Sequence, residues 1–277
     1  MNIPDYAFQL SAARLLSRES NVRLRVIGES RCKRKIICLQ IGKSAEMPLI
    51  AAGFHGMEYL TVLCALRFAN EYAAKKPNQG LLIVPCVNPD GTEIALHGAK
   101  SACRYEKFVR NTGDEKRWQA NARGVDINHN FEADWKNVKR RETETGITRP
   151  AATRFGGFCP ESEPETKALT KLCRRESISR VLALHSQGRE IYWNFGKHTP
   201  KGCLSLAEKM SEVSGYKVAS PEPIAAGGGF KDWFIEKFHR CGFTVEIGKG
   251  KNPLPLRDFE TEYPVVRKIL RVFTAEG

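Results

Sequence analysis

Two histidines and a glutamate stand at positions from which they could bind one metal ion. His55 and Glu58 are three residues apart just after the apolar segment 48–53, and His185 directly follows the apolar segment 181–184. If a helix begins near Glu58, side chains three residues apart share one face and can converge on a single ion. Two histidines, one carboxylate and an open fourth position for water form a ligand set of catalytic zinc. The three residues are therefore candidate zinc ligands, although a histidine bound to a backbone carbonyl and an exposed glutamate would give the same short pattern.

A second glutamate, Glu246, interrupts the apolar segment 243–247. An ionised carboxylate in a buried strand is costly unless it serves a cationic partner or a water molecule at a metal. The alternative interpretation is a salt bridge at the end of a strand. Because two histidines also lie at strand ends, Glu246 favours the metal site over these separate structural roles.

The segments around these residues predict an open α/β sheet, in which ligands bind beyond the carboxyl ends of the strands. Apolar runs indicate strands, and a run with helical spacing between two of them indicates a right-handed βαβ unit. Residues 92–160 are rich in charge and glycine, so we expect long loops there. The predicted strands are 24–27, 35–41, 48–53, 80–87, 181–184 and 243–247, the predicted helices are 58–74, 163–175 and 265–273, and segments 204–211 and 230–238 form strands or helices.

The composition is that of an ordinary globular domain. Hydrophobic residues make up 42% and charged residues 27% of the 277 positions, far from the composition of disordered chains. We expect a single domain over residues 1–277, with residues 1–47 as a strand-containing lead-in. The first thirty residues contain no uninterrupted apolar stretch, and no apolar run approaches the length of a membrane span. Neither an export signal nor a membrane span is therefore predicted.

The cysteines and the net charge bear on compartment and partners. Nine scattered cysteines without a CxxC pair argue against a disulfide framework or a cysteine zinc site, and favour free thiols in the cytoplasm. The net charge of +13 should attract polyanions such as cell-wall polymers, acidic peptides or nucleic acid. The basic clusters at 31–35 and 136–141 are not interleaved with aromatic residues and form no nucleic-acid motif. We interpret them as solvated faces and predict no nucleic-acid partner.

Five motifs resemble, in their order along the chain, those of zinc carboxypeptidases. They are Gly53-Phe54-His55-Gly56-Met57-Glu58, Asn88-Pro89-Asp90-Gly91, Gly124-Val125-Asp126-Ile127-Asn128-His129-Asn130-Phe131, His185-Ser186-Gln187-Gly188 and Phe243-Thr244-Val245-Glu246. The resemblance spans residues 50–260 and extends to a bacterial branch that cleaves γ-D-glutamyl-diaminopimelate peptides. Segments 160–166, 228–234 and 248–253 are similar to that branch.

This resemblance implies a zinc metallopeptidase with a three-layer α/β/α sandwich and a mixed, mostly parallel sheet of eight strands. It implies that His55, Glu58 and His185 hold one zinc ion per chain. It also implies that Glu246 is the general base, which takes a proton from the attacking water and passes it to the leaving amine. The implied substrate is a peptide, and the bacterial branch indicates muropeptides from peptidoglycan, cleaved next to diaminopimelate or D-glutamate.

The central motif departs from the family pattern at one position. The family usually has Asn-Arg-Asn-Phe, whose arginine and first asparagine grip the terminal carboxylate of the substrate. Here Asn128 is followed by His129, and histidine lacks the bidentate fork of a guanidinium. We assign both residues to substrate binding, with weaker or different recognition of a terminal carboxylate, so exopeptidase and endopeptidase activity both stay open. The structural alternative is that His129 packs against Phe131.

The family also implies an arginine that stabilises the oxyanion formed during hydrolysis. The candidates are Arg110, Arg117 and Arg123. We favour Arg117 because it precedes segment 118–121, which resembles the bacterial branch, while each arginine could equally be an ordinary surface residue.

Two more residues complete the predicted substrate site, Ser186 and Asp232. Asp232 could bind the distal ammonium of a diaminopimelate or lysine side chain, or it could cap the helix that contains Trp233. Three glycines before it, 227–229, indicate either a mobile loop or a plain linker.

Three other functions stay open at this point. One is a general carboxypeptidase acting on acidic or basic C-termini. Another is an amidoacid deacylase of the aspartoacylase kind, which shares an HxxE pair and a distal histidine but lacks elements similar to segments 185–188 and 229–233. The third is a catalytically weak, basic binding module on the same scaffold.

Overall fold

Four buried apolar strands form the centre of the sheet. The computed structural model describes residues 3–221 and 226–275, and within them an eight-stranded sheet has the order β1-β2-β4-β3-β5-β8-β6-β7. The central neighbours β4-β3, β3-β5 and β5-β8 are parallel, whereas β1-β2, β2-β4 and β6-β8 are antiparallel. The strands are β1 Val22–Glu29, β2 Lys35–Ile41, β3 Met47–Ala51, β4 Leu81–Val84, β5 Ile178–Ser186, β6 Glu190–Tyr192, β7 Lys217–Ala219 and β8 Gly242–Ile247.

Helices cover both faces of this sheet, because its strands are apolar on both sides. Successive side chains of a strand point to opposite faces, and in β2 Ile37 and Leu39 join one hydrophobic cluster while Ile36 and Cys38 join the other. The first cluster packs under α1, α2, α7 and α9, and the second under α6 and α8. The helices are α1 Tyr6–Leu16, α2 Tyr59–Ala74, α3 Pro89–His97, α4 Glu106–Thr112, α5 Trp135–Glu144, α6 Pro164–Arg175, α7 Gly202–Ser214, α8 Phe230–Phe238 and α9 Phe259–Thr274. The predicted three-layer α/β fold with a mixed sheet is confirmed.

Several boundaries differ from the sequence prediction. The segment 92–160, expected as long loops, contains the end of α3, all of α4 and α5, and a third hydrophobic cluster around Trp118 and Val109. Helix α9 begins six residues before the predicted start at residue 265, with Pro264 inside it. The lead-in contributes α1 as well as two strands, and β2 pairs with β4 in the same sheet.

One prediction about the cysteines needs correction. Cys203 at the start of α7 and Cys241 just before β8 form a disulfide with a Cα–Cα distance of 5.4 Å, although 38 residues separate them in sequence. The other seven cysteines are free thiols. Sequence spacing does not indicate the bond, because only the tertiary fold brings the start of α7 next to Cys241. Disulfides persist mainly in oxidising compartments, so this bond weighs against the cytoplasmic location, which stays a prediction.

Within the described residues, no helix combines the length and apolar character needed to cross a membrane.

Candidate metal centre and substrate cleft

The sheet topology brings the candidate catalytic residues to one edge. Strands β3, β5 and β8 are adjacent and parallel, so their carboxyl ends meet there. His55 follows β3, His185 is the penultimate residue of β5, and Glu246 pairs with His185 across the β5-β8 ladder. Glu58 is the N-cap residue of α2, which begins at Tyr59, one residue after the predicted start.

Three side chains converge into a group that could hold a metal ion. Nδ1 of His55 lies 2.9 Å from Oε1 of Glu58, and Nδ1 of His185 lies 3.1 Å from Oε2 of the same carboxylate. Potential ligand atoms from all three residues lie within 4.8 Å of one another, and Glu58 and His185 are almost fully buried. The ring of Phe54 stacks on His185 with a centroid distance of 5.0 Å, which holds the imidazole in place. Two imidazole nitrogens and one carboxylate fit the donor set of zinc.

Glu58 and His55 stabilise each other's charged form, whereas burial lowers the pKa of His185. Burial opposes ionisation of Glu58, but the neighbouring His55 and the hydrogen bond with His185 lower its pKa to about 2. Burial likewise works against a charged His55, yet Glu58 and Asp126 raise its pKa well above the ordinary value. Since a metal ligand must be a neutral imidazole, metal binding at this site is expected to release a proton.

Asp126 contacts the ring nitrogen of His55 that does not face Glu58, a role that the sequence prediction missed. Its Oδ1 lies 3.2 Å from Nε2 of His55 and accepts a hydrogen bond from the backbone N–H of Asn128 at 3.1 Å. Its Oδ2 accepts a bond from the backbone N–H of Arg154 at 3.0 Å. Burial alone would raise the pKa of Asp126, but the imidazoles of His55 and His129 hold it well below its usual range. A carboxylate that fixes the ring of a metal-binding histidine is a common second contact of metal sites.

Glu246 faces the same site from β8. Burial, followed by the charge of Glu58, raises its pKa well above the ordinary value. Its side chain lines a cleft of about 410 Å³ together with His55, Glu58 and Arg117. A carboxylate with a raised pKa beside a group that could bind a metal is suited to exchange protons with a reacting molecule.

The three candidate arginines differ in whether they line the cleft and in whether they have a carboxylate partner. Arg117 is exposed and lines the cleft, and its guanidinium makes no hydrogen bond or ion pair with the described residues. Arg110 is paired with Glu106 at 2.6 Å, and Arg123 is paired with Glu163. A fourth arginine, Arg154, lines the cleft with φ +64, and the sequence prediction did not consider it.

The predicted substrate residues lie around this cleft and an adjoining cavity of about 110 Å³. His129 lines both, with Nδ1 3.5 Å from Oε1 of Glu142, and makes no ring contact with Phe131 among the described residues. Asn128 lines the smaller cavity, and its Oδ1 accepts a hydrogen bond from the backbone N–H of Phe230 at 3.1 Å.

Ser186 and Asp232 have structural partners that the sequence did not indicate. The hydroxyl of Ser186 donates to Oδ1 of Asn252 at 2.8 Å, and its backbone N–H donates to Glu58 at 3.2 Å, so this residue also supports a candidate metal ligand. Asp232 does not cap its helix, α8, whose N-cap residue is Gly229 and whose N-terminus has no side-chain cap. Instead, Oδ2 of Asp232 accepts a hydrogen bond from the backbone N–H of Gly227 at 2.9 Å.

Comparisons with known proteins agree with this geometry. Residues 11–265 match the family described as zinc carboxypeptidase. The γ-D-glutamyl-L-diamino acid endopeptidase 1 of Lysinibacillus sphaericus is 35% identical over 271 residues, covering 90% of this chain and 65% of that protein. Murein peptide amidase A of Escherichia coli is 34% identical over 217 residues, covering 74% of this chain and 72% of that protein. This chain therefore spans about two thirds of the length of both relatives.

Solved structures show the same fold. Bovine thrombin-activatable fibrinolysis inhibitor, solved with a tick carboxypeptidase inhibitor, has a TM-score of 0.80 at 20% identity and covers 98% of this chain and 95% of that one. The murein-tripeptide amidase of Escherichia coli O157 has a TM-score of 0.59 at 22% identity and covers 91% and 92%.

Proposed function

This chain belongs to the zinc carboxypeptidase family, and on that premise we propose that it hydrolyses a peptide bond in peptidoglycan-derived peptides, next to an L-diamino acid. The convergence of His55, Glu58 and His185 beside Glu246, on adjacent parallel strands, is the observation that carries the proposal. One zinc ion per chain would be held by the first three. The names of two relatives, an endopeptidase for γ-D-glutamyl-L-diamino acid bonds and a murein peptide amidase, support the substrate class.

Each residue of the cleft has a separate role in the proposed reaction. When bound, zinc lowers the pKa of water and polarises a carbonyl group. Glu246 accepts the proton of the attacking water and delivers it to the leaving nitrogen. Arg117 extends into the cleft a guanidinium that has no partner in the described part of the chain, and it stabilises the negative oxygen that develops on the scissile carbonyl. Asp126 keeps His55 in the orientation in which Nδ1 faces Glu58.

His129 supports cleavage of internal bonds. An arginine at this position would bind a terminal carboxylate through two parallel hydrogen bonds, which histidine cannot provide. The imidazole lies 3.5 Å from the carboxylate of Glu142, which is itself paired with Lys139. We therefore propose that the substrate chain can continue beyond the diamino acid.

Metal analysis and a peptide panel test the proposal. The purified protein is loaded with zinc and assayed on a γ-D-glutamyl-meso-diaminopimelyl peptide, with an ordinary peptide that ends in a free α-carboxylate as comparison. We expect cleavage of the first, one zinc per chain, loss of zinc on Glu58→Ala, and retention of zinc but loss of activity on Glu246→Ala. Glu212→Ala, at an exposed position of α7, is the matched control. Full activity of Glu246→Ala would contradict the mechanism, and cleavage of the ordinary peptide alone would contradict the substrate class.

A further inference from the structure

The solvent-facing side of α6 carries only positive charge. Every exposed residue of this helix is a lysine or an arginine, while its other residues are buried or half-buried. The exposed residues are Lys167, Lys171, Arg174 and Arg175. With 3.6 residues per turn they fall within about 100° of one another around the axis, and Lys167 and Arg175 lie about 12 Å apart along it. The helix therefore presents a row of cations to the solvent.

The edge strand β1 extends this row. Arg25 of β1 pairs at 2.6 Å with Glu176, the C-cap residue of α6, so the strand lies beside the end of the helix. Arg25 is opposite Cys38, which belongs to the hydrophobic cluster under α6. Arg23 is two residues away and therefore points to the same face of the sheet. Because Arg23 is exposed, it adds a further cation near the end of α6.

Most of these cations have no carboxylate partner. Arg25 is paired with Glu176, and Arg174 is paired with Glu161 at 2.6 Å and lies over the ring of Trp233. The remaining cations make no ion pair and no side-chain hydrogen bond with the described residues. They are Arg23, Lys167, Lys171 and Arg175, which together are named the basic face.

Fold stability does not account for the basic face. Lys167, Lys171 and Arg175 follow one another at intervals of four residues. Like charges at this spacing are neighbours on a helix surface and destabilise the helix. Since these side chains also lack carboxylate partners, a negatively charged ligand would relieve their mutual repulsion.

The basic face begins at the side of the molecule that carries the cleft. Helix α6 leads after two residues into β5, whose carboxyl end carries His185, so the start of the helix lies towards the same edge of the sheet. The backbone N–H of Glu163, just before α6, donates to Oδ1 of Asn130 at 3.1 Å. Asn130 belongs to the motif that contains Asn128, which lines the smaller cavity. A ligand that lies along the basic face therefore passes close to the cleft.

We propose that the basic face binds a linear anionic polymer of the cell wall, a poly(alditol phosphate), and so holds the enzyme beside its peptide substrates. A chain that repeats a phosphodiester group matches a row of exposed cations, whereas small ligands are bound in concave sites. Single-stranded nucleic acids share the phosphodiester, but their binding surfaces also use aromatic side chains on which bases stack. Helix α6 contains no aromatic residue. The choice of a cell-wall polymer rests on the proposed function.

Salt-dependent binding to poly(glycerol phosphate) tests the proposal. The Kd of zinc-loaded protein for an end-labelled polymer is measured by fluorescence anisotropy at several salt concentrations. Each neutralised phosphate of a single-stranded polyanion contributes about −0.7 to the slope of log K against log salt, so four contacts predict a slope of about −3. The affinity should then fall about 60-fold between about 50 and 200 mM salt.

A variant without most of the basic face should lose this behaviour. The variant with Lys167→Gln, Lys171→Gln and Arg175→Gln, named the α6 variant, keeps only Arg23, so its slope should shrink to about −0.7. Its Kd at low salt should rise at least about tenfold. Glutamine favours helices about as well as lysine and arginine do, so the Tm should match that of the wild type.

A control variant removes the same charge from the opposite layer. Arg14→Gln, Arg18→Gln and Lys75→Gln change exposed positions in and beside α1 and α2, which cover the other face of the sheet. This variant should bind the polymer like the wild type. An equal loss of affinity in both variants would overturn the proposal, because net charge alone would then explain the binding. A slope that stays near −3 in the α6 variant would overturn it as well.

Two further measurements identify the polymer and separate this proposal from the proposed function. A single-stranded DNA oligonucleotide with the same number of phosphates should bind no more tightly than poly(glycerol phosphate). Tighter binding of the DNA, lost in the α6 variant, would assign the basic face to nucleic acid and overturn the proposal. The α6 variant should also cleave a soluble γ-D-glutamyl-meso-diaminopimelyl peptide at the wild-type rate. Polymer binding without hydrolysis would refute only the proposed function, and hydrolysis without polymer binding would refute only the role of the basic face.

Discussion

Replacing Asp126 by asparagine should weaken metal binding without removing a metal ligand. The carboxylate uses both oxygens, Oδ1 toward Nε2 of His55 and the backbone N–H of Asn128, and Oδ2 toward the backbone N–H of Arg154. Asparagine keeps the shape but has one carbonyl oxygen. Whichever way the amide turns, one side of it presents N–H to a group that must itself donate a hydrogen bond.

The size of the effect follows from these contacts. Loss of the carboxylate partner of a metal-binding histidine typically costs about 10- to 100-fold in metal affinity. One buried donor left without an acceptor costs about 1–3 kcal/mol of stability. For a chain of this size each kcal/mol corresponds to roughly 2–4 °C, so the Tm of the metal-free Asp126→Asn protein should fall by roughly 2–12 °C.

Two assays separate the effects on metal binding and on folding. Zinc affinity is measured by competition with a chelating indicator, and Tm is measured by calorimetry on metal-free protein. Glu132→Gln, at an exposed position six residues further along the chain, serves as the control and should match the wild type in both assays. If Asp126→Asn lowers Tm but binds zinc as tightly as the wild type, then Asp126 supports the backbone of the loop and does not orient His55.

Three further predictions concern charge and specificity. Burial and neighbouring carboxylates raise the pKa of Glu165 to about 8. The folded state therefore keeps a proton on Glu165 that the unfolded chain releases near pH 4.3. Because the folded state binds more protons in this range, the free energy of unfolding should fall as pH rises from about 4.3 to 8. The free energy of unfolding, measured in urea at several pH values across this range, should depend less on pH in Glu165→Gln than in the wild type. Glu212→Gln should keep the pH dependence of the wild type. Arg117→Met should lower kcat by about 10²- to 10³-fold while Arg110→Met has little effect, and equal losses would contradict the role of Arg117. His129→Arg should raise kcat/KM about tenfold for peptides with a free C-terminal carboxylate relative to amidated ones, and an unchanged ratio would show that this position does not read the carboxylate.

The sequence predicted the central sheet and the placement of the candidate metal ligands because both depend on local signals. Apolar runs mark buried strands, and polar residues that directly follow them must lie at the carboxyl edge of a parallel sheet. His55 and His185 are such residues, and the structure brings them within reach of Glu58. Their role as ligands, like that of Glu246 as base, stays a proposal that the experiments above address.

Contacts between distant segments were not predictable in this way. Asp126 and His55 are 71 residues apart, and Nζ of Lys231 reaches the backbone of Asn194, 37 residues before it. Such pairs depend on how loops pack over the sheet edge, and a single sequence carries no periodic signal for them. The predicted helix 265–273 also began six residues late, and Pro264 lies inside the observed α9, although proline usually occurs in the first turn of a helix.

The short helix Ile127–His129 links the metal site to the substrate pocket. Asp126, its N-cap, contacts His55 on one side and binds the backbone N–H of Asn128 on the other. His129 is the last residue of this helix, and its side chain takes no part in the hydrogen bonds that Asp126 makes. A change at this position can therefore alter recognition of the substrate carboxylate while the hydrogen bonds of Asp126 stay intact, although it removes one of the charges that lower the pKa of Asp126. The candidate metal ligands His55, Glu58 and His185 can thus stay in place although His129 departs from the arginine of the family pattern.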